Sequence, residues 1–438
     1  MNAATIPTLL AVLAASFACA DSNAKNTPPP APLSQAAPAA PTTTPTPTSD
    51  EPVPAIAPWR SELLDLAFDA ASAFPLNPHI KNRSRAQADV VVAALEIDQP
   101  DLALSCAKNI ANWRQGEAIA SIAYHQAEQG RLARVHELLA AAQKIADAGG
   151  VTTDEKLPSD GIETTQEWRS DRIRARIAST YVLLGQNNLA DAAAFGADAA
   201  ETAPIQAERS RKISGEHFDE HMTRLDALVA TGSFDALGSA LGSYAELFAR
   251  FYDDVERRAK IEEKIHVAWA KLPIQVRIEV QERLVDTAID ADDEKKALEL
   301  LDSASAMLVG TNWTVEDDVP LRAKLAALRA RAGDVDTARA DADAALASYD
   351  GGRERIVNIY RARVLRPLAE AYVAIGDFEK ARTMYARTIE EGALNPNSRP
   401  RCDDLVATVC SMVVRDVEPD AALRSRIAEI RSKLGQPW

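Results

Sequence analysis

Two histidines one helical turn apart are the residues of this sequence whose spacing could do chemistry. His217 and His221 flank Glu220 in the stretch GEHFDEHM. Side chains four residues apart on a helix share a face, so the two imidazoles could hold a zinc ion. A solvated helix end would show the same pair, because that geometry does not depend on a bound metal.

The pattern H-x-x-E-H resembles the signature of the inverted zinc peptidases. In that family a distant glutamate is the third ligand, and Glu294 and Glu299 lie near the expected distance in this sequence. The family has an α/β fold, however, and no stretch of this chain alternates like a strand. We therefore predict a non-catalytic chain without a metal or other cofactor, and a zinc peptidase at residues 217–221 is the alternative.

Composition narrows the class of protein further. The chain has 438 residues, of which 49 are basic and 64 acidic, for a net charge of -15. A field of that sign repels phosphate backbones and anionic lipid head groups, which argues against nucleic acid as a partner. Apolar residues make up 47 % and aromatic residues only 5 %, which favours closely packed helices over strands. Phosphate-loop, dinucleotide-binding and nucleophile-elbow motifs are absent from the sequence.

The first twenty residues predict export. Residues 6–18 form an apolar run ended by small residues, too short for the ~20 residues of a membrane-spanning helix. Residues 18–20 suit an ordinary signal peptidase, whereas residues 16–19 resemble the lipobox of bacterial lipoproteins, in which Cys19 would be lipidated. The mature chain would then be periplasmic or lipid-anchored to the cell envelope, with the lipid as its membrane contact.

Two regions follow the signal. Residues 21–58 are rich in proline, threonine and alanine and predict a disordered linker, because such a segment buries too little apolar surface to fold. Residues 59–438 consist of helical patterns of ten to twenty residues separated by short polar turns. Within them Cys106 and Cys410 lie on apolar helix faces and are predicted to be buried, and a disulfide from Cys106 remains open.

The helical region contains pairs of helices, of which residues 365–389 form the clearest. The pair has a large residue, a leucine, a small residue and a tyrosine on its first helix, a glycine turn, and a small residue between aromatics on its second: Leu365, Leu368, Ala369, Tyr372, Gly376, Phe378, Ala381 and Tyr385. This pattern resembles the tetratricopeptide repeat. Small residues would let the two helices approach, and the aromatic side chains would fill the seam beside them.

Weaker copies of the pattern recur along the chain. Their predicted turn residues stand at positions 98, 130, 185, 232, 292, 333 and 376. The resemblance implies an all-α fold, a right-handed superhelical α-solenoid of about seven hairpins, with inserts at 149–166 and 204–215. A last amphipathic helix at 420–434 would be the C-terminal cap of the open array.

Repeat arrays of this kind imply binding of peptides or protein segments on the concave face made by the first helix of each pair. In the clearest pair, a rotation of about 100° from the packing stripe selects Arg363, Arg366, Glu370 and Val373. Three other first helices give Ala323, Ala327 and Ala330, then Arg172, Ala175, Ser179 and Val182, then Glu117, Ala120, Tyr124 and Ala127.

The two arginines of this face suit an acidic side chain or a C-terminal carboxylate, because a guanidinium presents paired donors. The plainer alternative is that Arg366 pairs with Glu370 one turn on and that the alanines only permit tight packing. The paired acids at 253–254, 317–318 and 403–404 are predicted to lie in water at helix edges.

The function predicted from the sequence is that of an exported, non-catalytic interaction scaffold of the cell envelope. Its partner would be an unidentified envelope protein or peptide bound in the concave groove. Besides the zinc peptidase, the alternative is a structural spacer whose array stacks only on itself.

Overall fold

The structure is a computed structural model that describes residues 53–149, 167–198, 201–270 and 272–438. The described residues form helices and no strands. The first ten are α1 (Pro58–Ser72), α2 (Leu76–Glu96), α3 (Pro100–Ala107), α4 (Arg114–Glu128), α5 (Val135–Asp147), α6 (Glu167–Leu183), α7 (Asn187–Ala194), α8 (Ala203–Lys212), α9 (Phe218–Thr231) and α10 (Phe234–Arg250). The others are α11 (Val255–Trp269), α12 (Ile274–Asp290), α13 (Glu294–Val309), α14 (Val315–Arg331), α15 (Val335–Gly352), α16 (Asn358–Ala374), α17 (Phe378–Ala393), α18 (Ser398–Val414) and α19 (Ala421–Ser432).

The helices form two layers. Each even-numbered helix from α2 to α18 contacts the next even-numbered helix, whereas neighbouring odd-numbered helices have sparse contacts with one another and pack on the even ones. Helices that lie closer together occupy the smaller circumference, so the even-numbered helices are the inner layer. We call their ring-interior side the inner face.

The two ends of the chain meet. Helices α1 and α2 both pack against α18, so the inner layer closes into a ring. The guanidinium of Arg60 donates two hydrogen bonds, of 3.0 and 2.8 Å, to the carbonyl of Val413. The ring of Trp438 packs against Phe74 with the ring centroids 4.9 Å apart. Closure therefore joins residues that are more than 300 positions apart in the sequence.

Helix α19 completes the outer layer at this junction. Its apolar side chains Leu423, Ile427 and Ile430 are buried. Its arginines form ion pairs with α17 on one side and α1 on the other, through Arg426 with Glu390, Arg424 with Glu62 and Arg431 with Asp69. The sequence predicted a cap on an open array. In the structure this helix instead bridges the two ends of the chain.

The predicted turn residues lie between helices. Asp98, Gly130, Gly185, Gly232, Asp292, Gly333 and Gly376 all have positive φ. At Gly376 the backbone has φ +82°, which glycine adopts without strain. Asp377 follows, and its carboxylate accepts a hydrogen bond from the Lys380 amide at 3.1 Å, which caps α17.

The α16–α17 pair packs largely as the pattern indicates. Ala369, Ala381, Tyr372 and Tyr385 are fully buried, so small residues and aromatic rings form the contact between the two helices. Phe378 is different, because 49 % of it is exposed. It lies in the first turn of α17, beyond the end of the shared seam, so its predicted role in filling the seam was wrong.

The order of layers changes in the middle of the chain. Residues 204–215, predicted to be an insert, contain α8, which belongs to the inner layer and contacts α6 and α10. As a result α9, predicted to be an inner helix, lies outside, and its hairpin partner α10 lies inside. Most of the other predicted insert, residues 150–166, lies outside the described residues.

The cysteines of the described region are core residues. Cys106, Cys402 and Cys410 are buried and free, which confirms the predicted burial of Cys106 and Cys410 and shows no bridge from Cys106. None of the helices in the described ranges is long and apolar enough to cross a membrane.

Candidate binding face of the inner helices

The two histidines of H-x-x-E-H lie in different surroundings. His217 is exposed at the end of a short 3-10 turn, with its Nδ1 3.7 Å from a carboxylate oxygen of Glu220. His221 is 3 % exposed, and its Nε2 lies 2.8 Å from the hydroxyl of Ser210 on α8. Burial, followed by the nearby Arg224, lowers the pKa of His221. In the part of the chain that the structure describes, no group of three His, Cys, Asp or Glu side chains could hold a metal ion.

The four residues predicted on α16 share one face of that helix. Arg363 is exposed, and Arg366, Glu370 and Val373 are half-buried. Arg366 interacts electrostatically with Asp89 on α2, which lies beyond α18 in the inner layer. An interaction that reaches past α18 to α2 favours a position on the ring-interior side of α16. This face of α16 is therefore part of the inner face.

Glu370 has a partner other than Arg366. Its carboxylate accepts a hydrogen bond of 2.7 Å from the hydroxyl of Ser411 on α18, and that hydroxyl lies 2.8 Å from the hydroxyl of Tyr385. Among the described residues, neither Arg363 nor Arg366 has a carboxylate oxygen within 4.0 Å. The pair Arg366 and Glu370, which the plainer sequence interpretation expected, is thus not formed.

Most of the other predicted groove residues are buried and line no surface. These are small or aliphatic side chains on α4, α6 and α14: Ala120, Ala127, Ala175, Ser179, Val182, Ala323 and Ala330. They were selected by a rotation of about 100° from the packing stripe of each helix. In these weak repeats the stripe itself had been assigned to the wrong face. Glu117 and Arg172 are only half-buried, and they form an ion pair at 3.1 Å.

Charged side chains from three inner helices come together where the ring closes. We call this group the seam cluster, and it comprises Arg85 and Asp89 on α2, Arg363 and Arg366 on α16, and Asp403 and Asp404 on α18. Arg85 Nη2 lies 3.1 Å from Asp403 Oδ2. Asp89 interacts electrostatically with Arg85, Arg114 and Arg366. The cluster therefore contains one arginine in an ion pair, Arg85, and two arginines, Arg363 and Arg366, that have no ion pair among the described residues.

Asp404 is the buried member of the seam cluster. It is 9 % exposed, and its Oδ2 lies 3.4 Å from the Asn395 amide nitrogen. A side chain at Gly392 would come within 2.9 Å of Asp404 Cβ, which shows how closely α17 packs there. Burial raises the pKa of Asp404 to about 7, against the attraction of Arg366. This carboxyl therefore changes charge near neutral pH.

Asp404 was predicted to be solvated, and that prediction was wrong. Its helix, α18, buries residues on nearly all sides, because it packs against α1, α2, α16 and α17. A helix that is apolar all round belongs in a core, and this signal in residues 402–413 could have identified the burial. At the other paired acids the prediction holds better, since Asp254 caps α11 through the Arg257 amide at 3.1 Å.

The side chain of Asp89 is exposed, yet protein surrounds it on most sides. This enclosure raises the pKa of Asp89 to about 6. Burial likewise raises the pKa of Glu96 on α2 and of Glu282 on α12 to about 7. Several carboxyls of the inner layer thus take up protons at pH values where surface carboxylates stay ionised.

A second group of charges lies on α4, α8, α10 and α12. We call it the Arg211 network, and it comprises Tyr124, Glu128, Glu208, Arg211, Glu246 and Arg283. Arg211 lies 2.9 Å from the Tyr124 hydroxyl, 3.4 Å from both Glu128 and Glu208, and 3.0 Å from Glu246. The Tyr124 hydroxyl donates a hydrogen bond of 2.6 Å to Glu208, which is 3 % exposed. This network leaves little positive charge for a ligand.

The seam cluster brings guanidinium groups and titratable carboxyls close together. Guanidinium groups supply fixed charge and paired donors for an anion, and the neighbouring carboxyls adjust the local charge with pH. In comparisons with known proteins, no family model matches the chain and no curated protein is similar to it.

Proposed function

We propose that the chain is an exported, non-catalytic scaffold of the cell envelope that holds a peptide or protein segment on the inner face of its helical ring. The helical pairs are proposed to be tetratricopeptide-like, with about seven hairpins and the right-handed winding that this resemblance implies. The pair α16–α17 supports that part of the proposal, because its small and aromatic residues form the contact between the helices.

One observation carries the proposal. Arg363 and Arg366 lie on the inner face without an ion pair in the described part of the chain, although acidic residues outnumber basic ones by 64 to 49. In so acidic a protein, a free arginine has many possible partners within its own chain. Two neighbouring arginines that remain unpaired therefore favour a partner from outside.

The proposed compartment depends on residues 1–58, of which 1–52 lie outside the described ranges. We propose that residues 1–20 are a signal, that Cys19 is lipidated or removed with it, and that residues 21–58 link the ring to the envelope. Mass spectrometry of the mature N-terminus tests this part. A chain that retains Met1 in the cytoplasm would contradict it.

Capture with a light-activated cross-linker tests binding on the inner face. A photoreactive amino acid at Val373 should cross-link the chain to a discrete envelope protein or peptide. Combining it with Arg363→Glu and Arg366→Glu should abolish the adduct while circular dichroism stays unchanged. The matched control is Arg382→Glu with Lys295→Glu, an equal charge change at exposed positions of the outer layer.

The outcomes separate the alternatives. An adduct that survives the inner-face substitutions would remove this site from the proposal. The absence of any adduct would favour a spacer. One equivalent of zinc in the purified protein, lost in His217→Ala, would favour the peptidase instead.

A further inference from the structure

We propose that one rim of the ring, between α15 and α18, docks on an anionic lipid surface through exposed apolar side chains flanked by arginines. We call this group the rim patch, and it consists of Arg355, Val357, Ile359, Tyr360, Leu394 and Arg399. The patch lies at the edge of the ring and outside the inner face, so its role is separate from the proposed binding of a peptide or protein segment.

The helix ends of this region share one rim. From α14 to α18, successive helices pack against each other through short connections, so each inner helix begins at the rim where the preceding outer helix ends. A side chain at Gly392, near the end of α17, would come within 3.6 Å of Ala362 near the start of α16 and within 2.9 Å of Asp404 on α18. The patch residues lie in the connections before α16 and α18 or in the first turns of these helices. They therefore belong to a single edge of the ring.

The rim patch exposes apolar side chains that the fold does not cover. Between 39 % and 60 % of each is exposed: Val357, Ile359, Tyr360 and Leu394. Single exposed apolar residues are common on protein surfaces, but four at adjoining helix ends mark an interaction surface. Aliphatic side chains beside a tyrosine, whose hydroxyl stays in water, suit the boundary between lipid head groups and acyl chains.

Charge identifies the kind of surface that would cover these side chains. Residues 353–363 and 394–401 contain six arginines and one glutamate. At the opposite rim, residues 374–379 and 415–420 contain five acidic residues and one arginine. Arg355 and Arg399 are exposed, and within the described ranges neither guanidinium has a carboxylate oxygen within 4.0 Å. The rim patch is thus basic within an acidic protein, and its charge is complementary to anionic head groups.

The net charge of -15 does not prevent this contact. Helix α16 has 17 residues, so the acidic rim lies about 25 Å from the rim patch along the helix axis. The Debye length is about 8 Å at physiological ionic strength, so the acidic rim is largely screened from head groups at the patch. The expectation of repulsion from anionic lipids treated the charge as evenly spread, whereas the two rims carry opposite charge.

A bilayer can satisfy both parts of the rim patch at once. Its phosphates can approach Arg355 and Arg399 while its acyl region covers the apolar side chains beside them. A nucleic acid could meet the arginines, but its phosphate backbone would leave the apolar side chains in water. The combination of apolar and basic residues therefore favours an anionic lipid surface.

Co-sedimentation with lipid vesicles tests the inference, with the mature chain in which Cys19 is replaced by serine so that no lipid is attached. The chain should bind vesicles of phosphatidylcholine with roughly one quarter phosphatidylglycerol at least about 10-fold more tightly than pure phosphatidylcholine vesicles, because each arginine near an anionic surface adds about fivefold. High salt should weaken this binding. Failure to bind the anionic vesicles, or equal affinity for the neutral ones, would overturn the inference.

Charge substitutions assign the binding to the arginines of the rim patch. Arg355→Glu with Arg399→Glu should weaken binding to anionic vesicles at least about 10-fold. The matched control is Lys295→Glu with Arg382→Glu, an equal charge change at exposed positions near the opposite rim, and it should bind as the unmodified chain does. Equal losses in the two variants would show that only the overall charge matters, which would contradict a docking site at this rim.

Apolar substitutions test whether side chains enter the bilayer. Ile359→Ser with Leu394→Ser should weaken binding about 10-fold, because less apolar surface is removed from water. Val335→Ser with Phe378→Ser is the control, since these exposed apolar residues lie at the opposite rim. Circular dichroism should be unchanged in both variants. If the control loses as much affinity as the rim variant, the assignment to the rim patch is wrong.

A fluorescent label distinguishes a lipid surface from a second copy of the chain. The cysteines of the described region are buried, so an environment-sensitive dye can be attached at Tyr360→Cys or, as a control, at Phe378→Cys. Anionic vesicles should shift the emission of the first label to shorter wavelength and leave the second unchanged. If vesicles cause no shift, and the chain forms a dimer that Ile359→Ser with Leu394→Ser dissociates, a second copy covers the patch and the inference is overturned.

Discussion

The seam cluster and the Arg211 network both consist of arginines and carboxylates on the inner layer, but they differ in whether the arginines form ion pairs. Arg211 lies within 3.4 Å of four partners on three helices. Among the described residues, Arg363 and Arg366 have no ion pair. The Arg211 network uses its charges to hold neighbouring helices together, whereas the seam cluster leaves Arg363 and Arg366 without an ion pair in the described part of the chain.

The difference follows from how each region is packed. Around α6 to α8 the separate apolar cluster, counted over the described residues, has five buried side chains, which are Ala175, Ala178, Val182, Ala190 and Ile205. Beside this small cluster, the Arg211 network adds polar contacts between α8 and its neighbours α4 and α10. At the seam, α1, α2 and α18 share one large apolar core with α16 and α17. That shared core joins the two ends of the chain, in addition to the ion pair between Arg85 and Asp403.

The largest loss of stability should come from a substitution in the Arg211 network. Arg211→Met should destabilise the protein by about 3 kcal/mol, because it leaves buried Glu208 without its cation. Arg363→Met, a matched substitution in the seam cluster, should change the free energy of unfolding by less than about 0.5 kcal/mol. Urea unfolding followed by circular dichroism measures both. Similar losses in the two variants would remove the distinction between the regions.

A substitution of Asp404 in the seam cluster should have an intermediate effect on the free energy of unfolding, and it should stabilise the protein. The pKa of Asp404 is about 7 in the folded protein and about 3.9 in an unfolded chain. Between these values the folded state binds more protons, so its stability falls as the pH rises from about 4 to 7. Asp404→Asn should therefore stabilise the protein at pH 8 by about 1–2 kcal/mol.

The pH dependence supplies the control for that variant. Asp404→Asn should change stability little at pH 4, where the carboxyl is protonated in the folded protein, and it should flatten the fall in stability towards pH 7. Glu96 and Glu282 leave a residual slope, since their pKa values are also raised to about 7. A variant that is less stable than the unmodified protein at pH 8 would show that ionised Asp404 contributes favourably.

The sequence predicted local features and missed the long-range ones. Glycines and Asp residues at helix ends marked the turns, and the α16 stripe placed Arg363 and Arg366 on one face, because both depend on residues a few positions apart. The meeting of Arg85 with Asp403 depends on residues 318 positions apart, and no repeat pattern encodes it. Weak repeats also misplaced the alanine faces, and α8 was overlooked because it is short and polar.

The smallest expected effect concerns a single hydroxyl of the Arg211 network. Tyr124→Phe removes a donor to Glu208 and an acceptor for Arg211, and it should cost about 1 kcal/mol. Tyr360→Phe is the control, because Tyr360 is 39 % exposed and lies outside both regions. A lower midpoint of thermal unfolding for Tyr124→Phe but not for Tyr360→Phe would support the stabilising role of the Arg211 network. Equal midpoints would indicate that water replaces the hydroxyl.

The central claim is that the two ends of the chain meet, because the seam cluster exists only if α2 lies beside α18. Spin labels at Glu62 on α1 and Arg424 on α19, whose charged atoms lie 3.6 Å apart, test it directly by double electron–electron resonance with Cys19 replaced by serine. Closure predicts a short, narrow distance distribution that is unchanged by Arg363→Glu with Arg366→Glu. A long or broad distribution, as an open superhelix would give, would contradict the account.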